Sequence, residues 1–203
     1  MKKYVSLVLC LLLAALLFTG CAGGNGGSSG GGKTSDAAVN EALLGCFGKS
    51  ADEAVKALGL KDDQKAGDYG YTLDYAWGGQ TMETNFATNY GGYAEAQKMF
   101  ENGDAGTADI KAFVEKFTAQ FNDPYAVTRY TQAEKTKETY DAAQLETYLK
   151  DVAGGESGSG VQFRFSLVGE NDRMSDDGDY IEVSVQNTGD GLRVKLSMEH
   201  VNR

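Results

Sequence analysis

The side chains of this chain that could do chemistry are mostly carboxylates. His200 is the only histidine, and Cys46 is the only cysteine beyond Cys21. A cysteine nucleophile needs a base beside it, and a structural zinc ion needs several nitrogen or sulfur ligands. One imidazole and one thiol meet neither requirement, and a lone buried thiol is the simplest interpretation of Cys46. We therefore expect neither a cysteine enzyme nor a zinc site, and any catalysis would depend on carboxylates.

Two groups of carboxylates are candidates for binding a cation. The segment ENDRMSDDGDY, residues 170–180, is rich in them, but Arg173 and Ser175 stand where a calcium-binding EF-hand needs acidic or amide side chains. A solvated hairpin loop is therefore favoured. Asp74 and Glu83 are the second group. We predict no metal ion and no other cofactor, and we keep as weak candidates Asp74, Glu83, Asp176, Asp177 and Asp179.

The stretch GSSGGGKT, residues 27–34, has the spelling of a phosphate-binding loop. Such a loop needs a buried strand before it and a helix N-terminus after it, so that backbone N–H groups converge on the phosphates. The residues before it here are a tract of Gly, Ser and Asn, which cannot pack as a central strand. We interpret the tract as a flexible spacer and expect no nucleotide.

The first twenty residues have the form of a bacterial signal peptide. MKKYVS is a short basic start, and the apolar run at residues 7–18 is shorter than the ~20 residues of a membrane-spanning helix. The sequence Phe18-Thr19-Gly20-Cys21 follows and resembles the lipobox of bacterial lipoproteins, with Phe18 where most members have leucine. The resemblance implies transfer of diacylglycerol to Cys21, cleavage before it, and retention of the acylated chain on a membrane. An ordinary secretory signal that happens to end near a cysteine is the alternative.

This resemblance divides the chain into three parts. Residues 1–20 are expected to be removed, residues 21–35 to form the lipidated cysteine and its spacer, and residues 36–203 to form one globular domain. The expected location is the outer face of the bacterial cytoplasmic membrane, or an outer membrane if the source has one. The formal net charge of −10 disfavours nucleic acid as a partner, because an acidic protein repels phosphate backbones.

Helices are indicated by caps and by apolar spacing. Ser50 and Glu53 spell a capping box for a helix that Gly59 can close. Between Thr107 and Phe121, apolar residues recur three and four positions apart, as on the buried face of a helix. We predict helices at residues 36–44, 50–58, 93–100, 107–121 and 141–152.

Strands are indicated by strict alternation. The turn Gly78-Gly79 predicts a hairpin with Tyr75 opposite Met82 and with the like-charged pair Asp74 and Glu83 opposite each other. Further strands are predicted at residues 161–167, in a hairpin over residues 180–198, and at residues 125–131. One apolar and one polar face on each strand indicate an α+β fold. We expect an antiparallel sheet of about five to six strands with helices packed on one face.

Both the first half and the last third of the domain run from a helix into strands, which is compatible with a diverged α-β-β duplication. The stretch GKSADEAVKALG, residues 48–59, is similar to the helical turn of small repeated extracellular modules such as β-lactamase-inhibitor-like and PASTA domains. The similarity covers about a dozen residues. We transfer no function from it.

An aromatic face on the first predicted strand is the most tempting binding surface. Tyrosine and tryptophan stack on sugars and anchor interfaces, although the burial of one sheet face favours a core position for most of this face. Trp77 lies beside the turn and is the member expected to reach solvent. We predict that Trp77, Tyr90 and Tyr93 contact a ligand.

These patterns favour a non-enzymatic domain that binds a protein or cell-wall partner outside the membrane. Two alternatives stay open. One is a carboxylate-based hydrolase of cell-envelope polymers that uses Asp74 and Glu83. The other is a structural subunit of an envelope complex.

Overall fold

Eight antiparallel strands form one sheet in the computed structural model, which describes residues 37–46, 49–68, 70–87, 93–167 and 179–199. The strands are β1 Gly70–Trp77, β2 Gln80–Ala87, β3 Tyr93–Phe100, β4 Ala126–Tyr130, β5 Lys135–Glu138, β6 Gly160–Ser166, β7 Tyr180–Asn187 and β8 Leu192–Glu199. Their order across the sheet is β1-β2-β3-β8-β7-β6-β4-β5. The α+β class with an antiparallel sheet is confirmed, whereas the predicted count of five to six strands is too low.

Four α-helices accompany the sheet in the described part of the chain: α1 Glu41–Leu44, α2 Ala51–Leu58, α3 Asp104–Phe121 and α4 Leu145–Gly154. The predicted caps of α2 are confirmed, because Ser50 and Glu53 form a capping box and Gly59 has a φ of +64°. Helix α1 is shorter than predicted and begins after Asn40, whose side chain accepts a hydrogen bond from the N–H of Ala42. Short 3-10 turns precede β1 and α4, at Asp62–Gln64 and Ala142–Gln144.

Both predicted hairpins form in the predicted register. Gly78 and Gly79 have φ values of +53° and +79°, as a two-residue turn of the type favoured in hairpins requires. They set Tyr75 opposite Met82 and Asp74 opposite Glu83. In the C-terminal hairpin Ile181 lies opposite Met198. Alternation and turn chemistry are local signals, and they determine these pairings on their own.

Strand β3 corrects the prediction of a helix at residues 93–100. Its sequence, YAEAQKMF, is rich in helix-forming residues, but Ala94, Ala96 and Phe100 are buried at even spacing. The strand pairs with β2 on one side and with β8 on the other. Hydrogen bonds to two neighbouring strands and burial of three apolar side chains outweigh a helix propensity of a few tenths of a kcal/mol per residue.

Strand β4 confirms the strand predicted at residues 125–131, and β5 is a strand that the sequence did not indicate. The sequence of β5, KTKE, has no apolar alternation, because β5 is an edge strand and its side chains are mostly exposed. A short, charged edge strand of this kind discourages pairing with other chains.

The core lies between one face of the sheet and helices α3 and α4. The apolar residues predicted on α3 are buried, except Phe121, which is partly buried, and α4 buries Leu145, Tyr148, Leu149 and Val152. The two helices pack on each other and on β6. The opposite face of the sheet is polar and exposed, with Thr72, Glu83, Gln97, Arg193 and Lys195 on it.

Six of the eight described strands, β1 to β3 and β6 to β8, are arranged symmetrically about the boundary between β3 and β8. Helix α2 leads into β1, β2 and β3, and helix α4 leads into β6, β7 and β8. The two sets of three strands then meet through their last members, which pair from Tyr93 with Glu199 to Phe100 with Leu192. This is the arrangement that a diverged duplication would give, and the duplication itself stays a hypothesis.

The segment before α1 is fixed to the domain by backbone hydrogen bonds. Ala38 and Val39 are fully buried. The side-chain amide of Gln120 on α3 accepts from the N–H of Val39 at 2.8 Å and donates to its carbonyl at 3.0 Å. The carbonyl of Ala38 accepts from the N–H of Gly78 at 2.9 Å, which ties the segment to the first hairpin as well. Packing thus begins within a few residues of the predicted spacer.

Candidate functional site

Trp77 does not reach solvent, so the prediction that its side chain is exposed and contacts a ligand is wrong. The side chain is 0% exposed, and its indole N–H donates to the hydroxyl of Thr84 at 2.9 Å. The turn that follows Trp77 lies against α3, so closely that a Cβ on Gly78 would stand 2.9 Å from the ring of Phe113. Proximity to a turn predicts exposure only where nothing covers the turn. Trp77 is a core residue and cannot contact a ligand at the surface.

The other predicted ligand contacts lie at or beyond the margins of the described residues. Tyr90 falls outside them, as do Asp176, Asp177, Cys21 and His200.

Tyr93 is the first residue of β3 and pairs with Glu199 of β8, which pairs in turn with Tyr180 of β7. Asp179 directly precedes Tyr180, and its carbonyl accepts from the N–H of Leu167. The register therefore brings the start of β3 close to the end of the acidic segment.

Asp74 and Glu83 face each other on the exposed side of the sheet, as predicted. The side-chain amide of Gln97 lies 3.5 Å from the Glu83 carboxylate and donates to it. Within the described ranges, no group of three or more His, Cys, Asp or Glu side chains is placed to hold a metal ion. The pair is therefore a like-charge contact on an open surface.

Asp74→Asn is expected to raise the free energy of unfolding by about 0.5 kcal/mol, because it removes like-charge repulsion across the strands. Urea denaturation in low salt measures the change, and high salt should reduce it. Glu95→Gln is the matched control, since Glu95 lies on the same face of the sheet but forms an ion pair of 2.6 Å with Lys195. This control should leave stability unchanged or lower it. A loss of stability in Asp74→Asn would show that the acidic pair is held by favourable contacts.

A cleft of about 350 Å³ opens between the β4–β5 hairpin and the C-terminal end of α4. We call it the hairpin cleft. Its lining combines both strands of the hairpin, the end of α4 and the loop that leads into β6. The residues on its walls are Arg129, Tyr130, Thr131, Glu134, Thr136, Glu138, Asp151, Val152, Gly155, Glu156, Ser159 and Gly160.

Arg129 organises one side of the hairpin cleft. It lies on the same face of β4 as the buried Val127, so its side chain extends toward α4. Its guanidinium is 2.8 Å from the Asp151 carboxylate and 3.8 Å from that of Glu138. It also lies 5.7 Å from the centre of the Tyr148 ring, within the range of a cation–π contact. Burial, and then the carboxylates of Glu138 and Asp141, raise the pKa of Tyr148, so this phenol stays protonated.

Asn187 holds the end of α4, which contributes to the lining of the cleft. It is the last residue of β7 and is buried, and its amide N–H groups lie within hydrogen-bond distance of the carbonyls of Val152, Ala153 and Gly155 at the end of α4. Its side-chain oxygen accepts from the N–H of Gly189 at 2.7 Å. One side chain thus satisfies carbonyls that a helix end leaves without partners. These bonds hold the end of α4 and the start of the following loop against the end of β7.

Sequence reasoning missed the hairpin cleft, although one signal was present. In the strand AVTRY, alternation places Arg129 on the same face as Val127. A charged side chain on the apolar face of a strand must find partners or reach solvent at the sheet edge. The partners, Asp151 and Glu138, come from other elements, so only the position of Arg129 was readable from the sequence.

The thiol of Cys46 is protected from chemistry. It donates to the carbonyl of Ala42 at 3.0 Å, and burial raises its pKa, opposed by the positive charge of Lys49. The nearby Tyr75 is partly buried, and burial together with Cys46 raises its pKa to about 12. A thiol and a phenol that both stay protonated at neutral pH are structural groups, as expected for a lone cysteine.

Comparisons with protein-family models, with curated proteins and with solved structures find no significant match to this chain. None of the helices among the described residues is both long enough and apolar enough to cross a membrane.

Proposed function

We propose that the protein is a lipoprotein, anchored through Cys21 to the outer face of the bacterial cytoplasmic membrane, whose α+β domain binds a protein or cell-wall partner. The observation that carries the proposal is the order of segments at the N-terminus. A basic start is followed by a short apolar run, by Thr19-Gly20-Cys21 and by a glycine-rich spacer. Each segment has the length and composition that a lipid-anchored, exported domain needs.

The packing of residues 37–40 supports the division into tether and domain. A spacer must end where the chain becomes tied to the fold, and Ala38 and Val39 are the first buried residues among those described. The hydrogen bonds from Gln120 and Gly78 hold them there. A tether attached to packed residues allows the domain less freedom of orientation than a tether attached to a loosely held terminus.

The state of the reactive groups supports binding over catalysis. Two of the carboxylates in the hairpin cleft, Glu138 and Asp151, are paired with Arg129, and the thiol of Cys46 is buried and protonated. Asp74 and Glu83, the acids of the hydrolase alternative, lie on the exposed face of the sheet. A general acid or nucleophile works best in a site that excludes water, and an open sheet face does not exclude it.

Cys21→Ser is expected to abolish both metabolic labelling with a fatty acid and partitioning of the protein into the detergent phase. The physical reason is that the acyl chains would supply the anchoring free energy, at about 0.8 kcal/mol for each buried CH₂ group. Cys10→Ser is the matched control, because Cys10 lies in the apolar run of the signal peptide and its change should leave labelling intact. Labelling that persists in Cys21→Ser would overturn the anchor.

The hydrolase alternative can be tested on the same preparation. Incubation with peptidoglycan or envelope glycans is expected to release no soluble fragments. Release that disappears in the doubly substituted Asp74→Asn, Glu83→Gln protein, with folding retained, would replace the binding proposal with a carboxylate-based hydrolase.

A further inference from the structure

The hairpin cleft carries more negative than positive charge. Four carboxylates line it, from Glu134, Glu138, Asp151 and Glu156, and Arg129 is the one cation among its lining residues. Arg129 is paired with Asp151 and Glu138. Neither Glu134 nor Glu156 forms a side-chain ion pair or hydrogen bond within the described part of the chain. The cleft therefore has two carboxylates without a positive partner, and its other two carboxylates share the single charge of Arg129.

A buried hydroxyl inside the cleft also lacks a partner. Ser159 is only 7% exposed, and its backbone N–H and carbonyl are used by Glu156 and Asn187. Its hydroxyl makes no hydrogen bond to any described residue. Because such a group costs about 1–3 kcal/mol when buried unsatisfied, it points to a partner that enters the cleft.

Gly155 packs closely beside the Ser159 hydroxyl. A Cβ at this position would stand 3.1 Å from the Ser159 hydroxyl oxygen and 2.9 Å from the carbonyl oxygen of Asp151. Any side chain at position 155 would therefore crowd the Ser159 hydroxyl. The hydroxyl oxygen can accept hydrogen bonds. The end of a helix also bears partial negative charge on its carbonyls, which adds to the charge of the two free glutamates.

We propose that the hairpin cleft binds the side-chain ammonium group of a lysine residue in a peptide partner. An ammonium group has three donors and no acceptor, which matches a site made of carboxylates and a hydroxyl. The cleft volume of about 350 Å³ exceeds what an ammonium group alone fills and leaves room for the alkyl stem and adjoining backbone. Anionic ligands are repelled by the excess carboxylates. This proposal deepens the binding function proposed above and rests on it.

The walls of the cleft are held in place before any ligand arrives. Asn187 fixes the end of α4, and the side-chain amide of Gln132 in the β4–β5 turn donates to the carbonyl of Ser157 at 3.0 Å. These contacts join the hairpin, the loop after α4 and β7. A preformed site loses little conformational entropy when it binds, so a short peptide suffices as a probe.

The test is calorimetric titration of the mature, full-length protein in detergent with three probes: acetyl-Ala-Lys-Ala-amide, the same peptide with norleucine in place of lysine, and pentylamine. We expect the lysine peptide to bind, with affinity that falls as salt is raised, and the norleucine peptide to bind at least tenfold more weakly. Pentylamine should bind more weakly than the lysine peptide, because it lacks the peptide backbone.

Variants locate the site. Glu134→Gln combined with Glu156→Gln should weaken binding of the lysine peptide about tenfold, at roughly threefold for each surface charge. Ser159→Ala should weaken it as well, with the fold retained by circular dichroism. Glu83→Gln, on the opposite face of the sheet, is the matched control and should bind as the unchanged protein does.

Three results would overturn the proposal. Equal affinity for the lysine and norleucine peptides would exclude recognition of the ammonium group. Unchanged binding in the doubly substituted protein would place the site elsewhere. Pentylamine binding as tightly as the peptide would identify a free amine, not a peptide, as the ligand. None of these results bears on lipid labelling of Cys21, so failure of this inference is distinguishable from failure of the anchor.

Discussion

Phe117→Ala is expected to lower the free energy of unfolding by about 4 kcal/mol, which for a domain of this size lowers the melting temperature by about 8–16 °C. Phe117 is fully buried, and its ring lies 5.0 Å from that of Phe113 and 5.7 Å from that of Phe165 on β6. It therefore joins α3 to the sheet. Its loss removes apolar burial and leaves a cavity that surrounding strands can fill only in part.

Phe121→Ala is the control for this prediction. Phe121 is on the same helix, one turn later, but is partly exposed and lies 6.3 Å from the Phe117 ring. It should cost about 1–2 kcal/mol, since less of its surface leaves water on folding. Urea denaturation followed by circular dichroism measures both variants. Equal losses would contradict a central role for Phe117 and indicate that the end of α3 matters as much as its middle.

Asn187→Ala is expected to cost about 3 kcal/mol of stability. The substitution leaves three carbonyls at the end of α4 without their side-chain donor, and the bond to the carbonyl of Val152 is buried. It also frees the N–H of Gly189 from its acceptor. Chemical denaturation gives the change in free energy, and hydrogen exchange should show faster opening of the loop after α4.

Two further variants separate the causes. Asn187→Asp keeps the shape and the acceptor for Gly189, but it replaces the donating amide with a carboxylate that faces carbonyl oxygens. It should therefore be at least as destabilising as alanine. Gln186→Ala, one position earlier on the exposed face of β7, should change stability by less than about 0.5 kcal/mol. An Asn187→Asp protein as stable as the original would show that the acceptor, and not the donor, holds the loop.

The parts of the fold that could be predicted are those determined by neighbours in sequence. The register around Gly78-Gly79 and the cap of α2 at Ser50 follow from turn and capping chemistry, and the structure has both. Strand β3 could not be predicted, because its sequence favours a helix and only the strands on either side make it extended. Trp77 was misplaced for a related reason, since what covers it comes from distant segments.

The candidate site was less predictable than the fold. Its walls come from four separate parts of the chain, and Arg129 meets Asp151 only because the tertiary fold brings a side chain of β4 to a side chain of α4. No short motif encodes such a meeting. The inward position of Arg129 and the glycine-rich segment after α4 can be read from the sequence. Neither feature predicts a cleft unless the arrangement of the strands and helices is also known.

The position of β8 between β3 and β7 has a consequence for the order in which the chain can fold. During synthesis the N-terminal residues emerge first, so β1, β2 and β3 are available long before β8. Until β8 arrives, β3 and β7 each present an open edge, which is a hazard for aggregation. β8 is the last strand in the described part of the chain, and it fills the gap in the middle of the sheet. A premature stop before Leu192 would therefore remove a central strand, not an edge strand, and would leave the sheet in two separate halves.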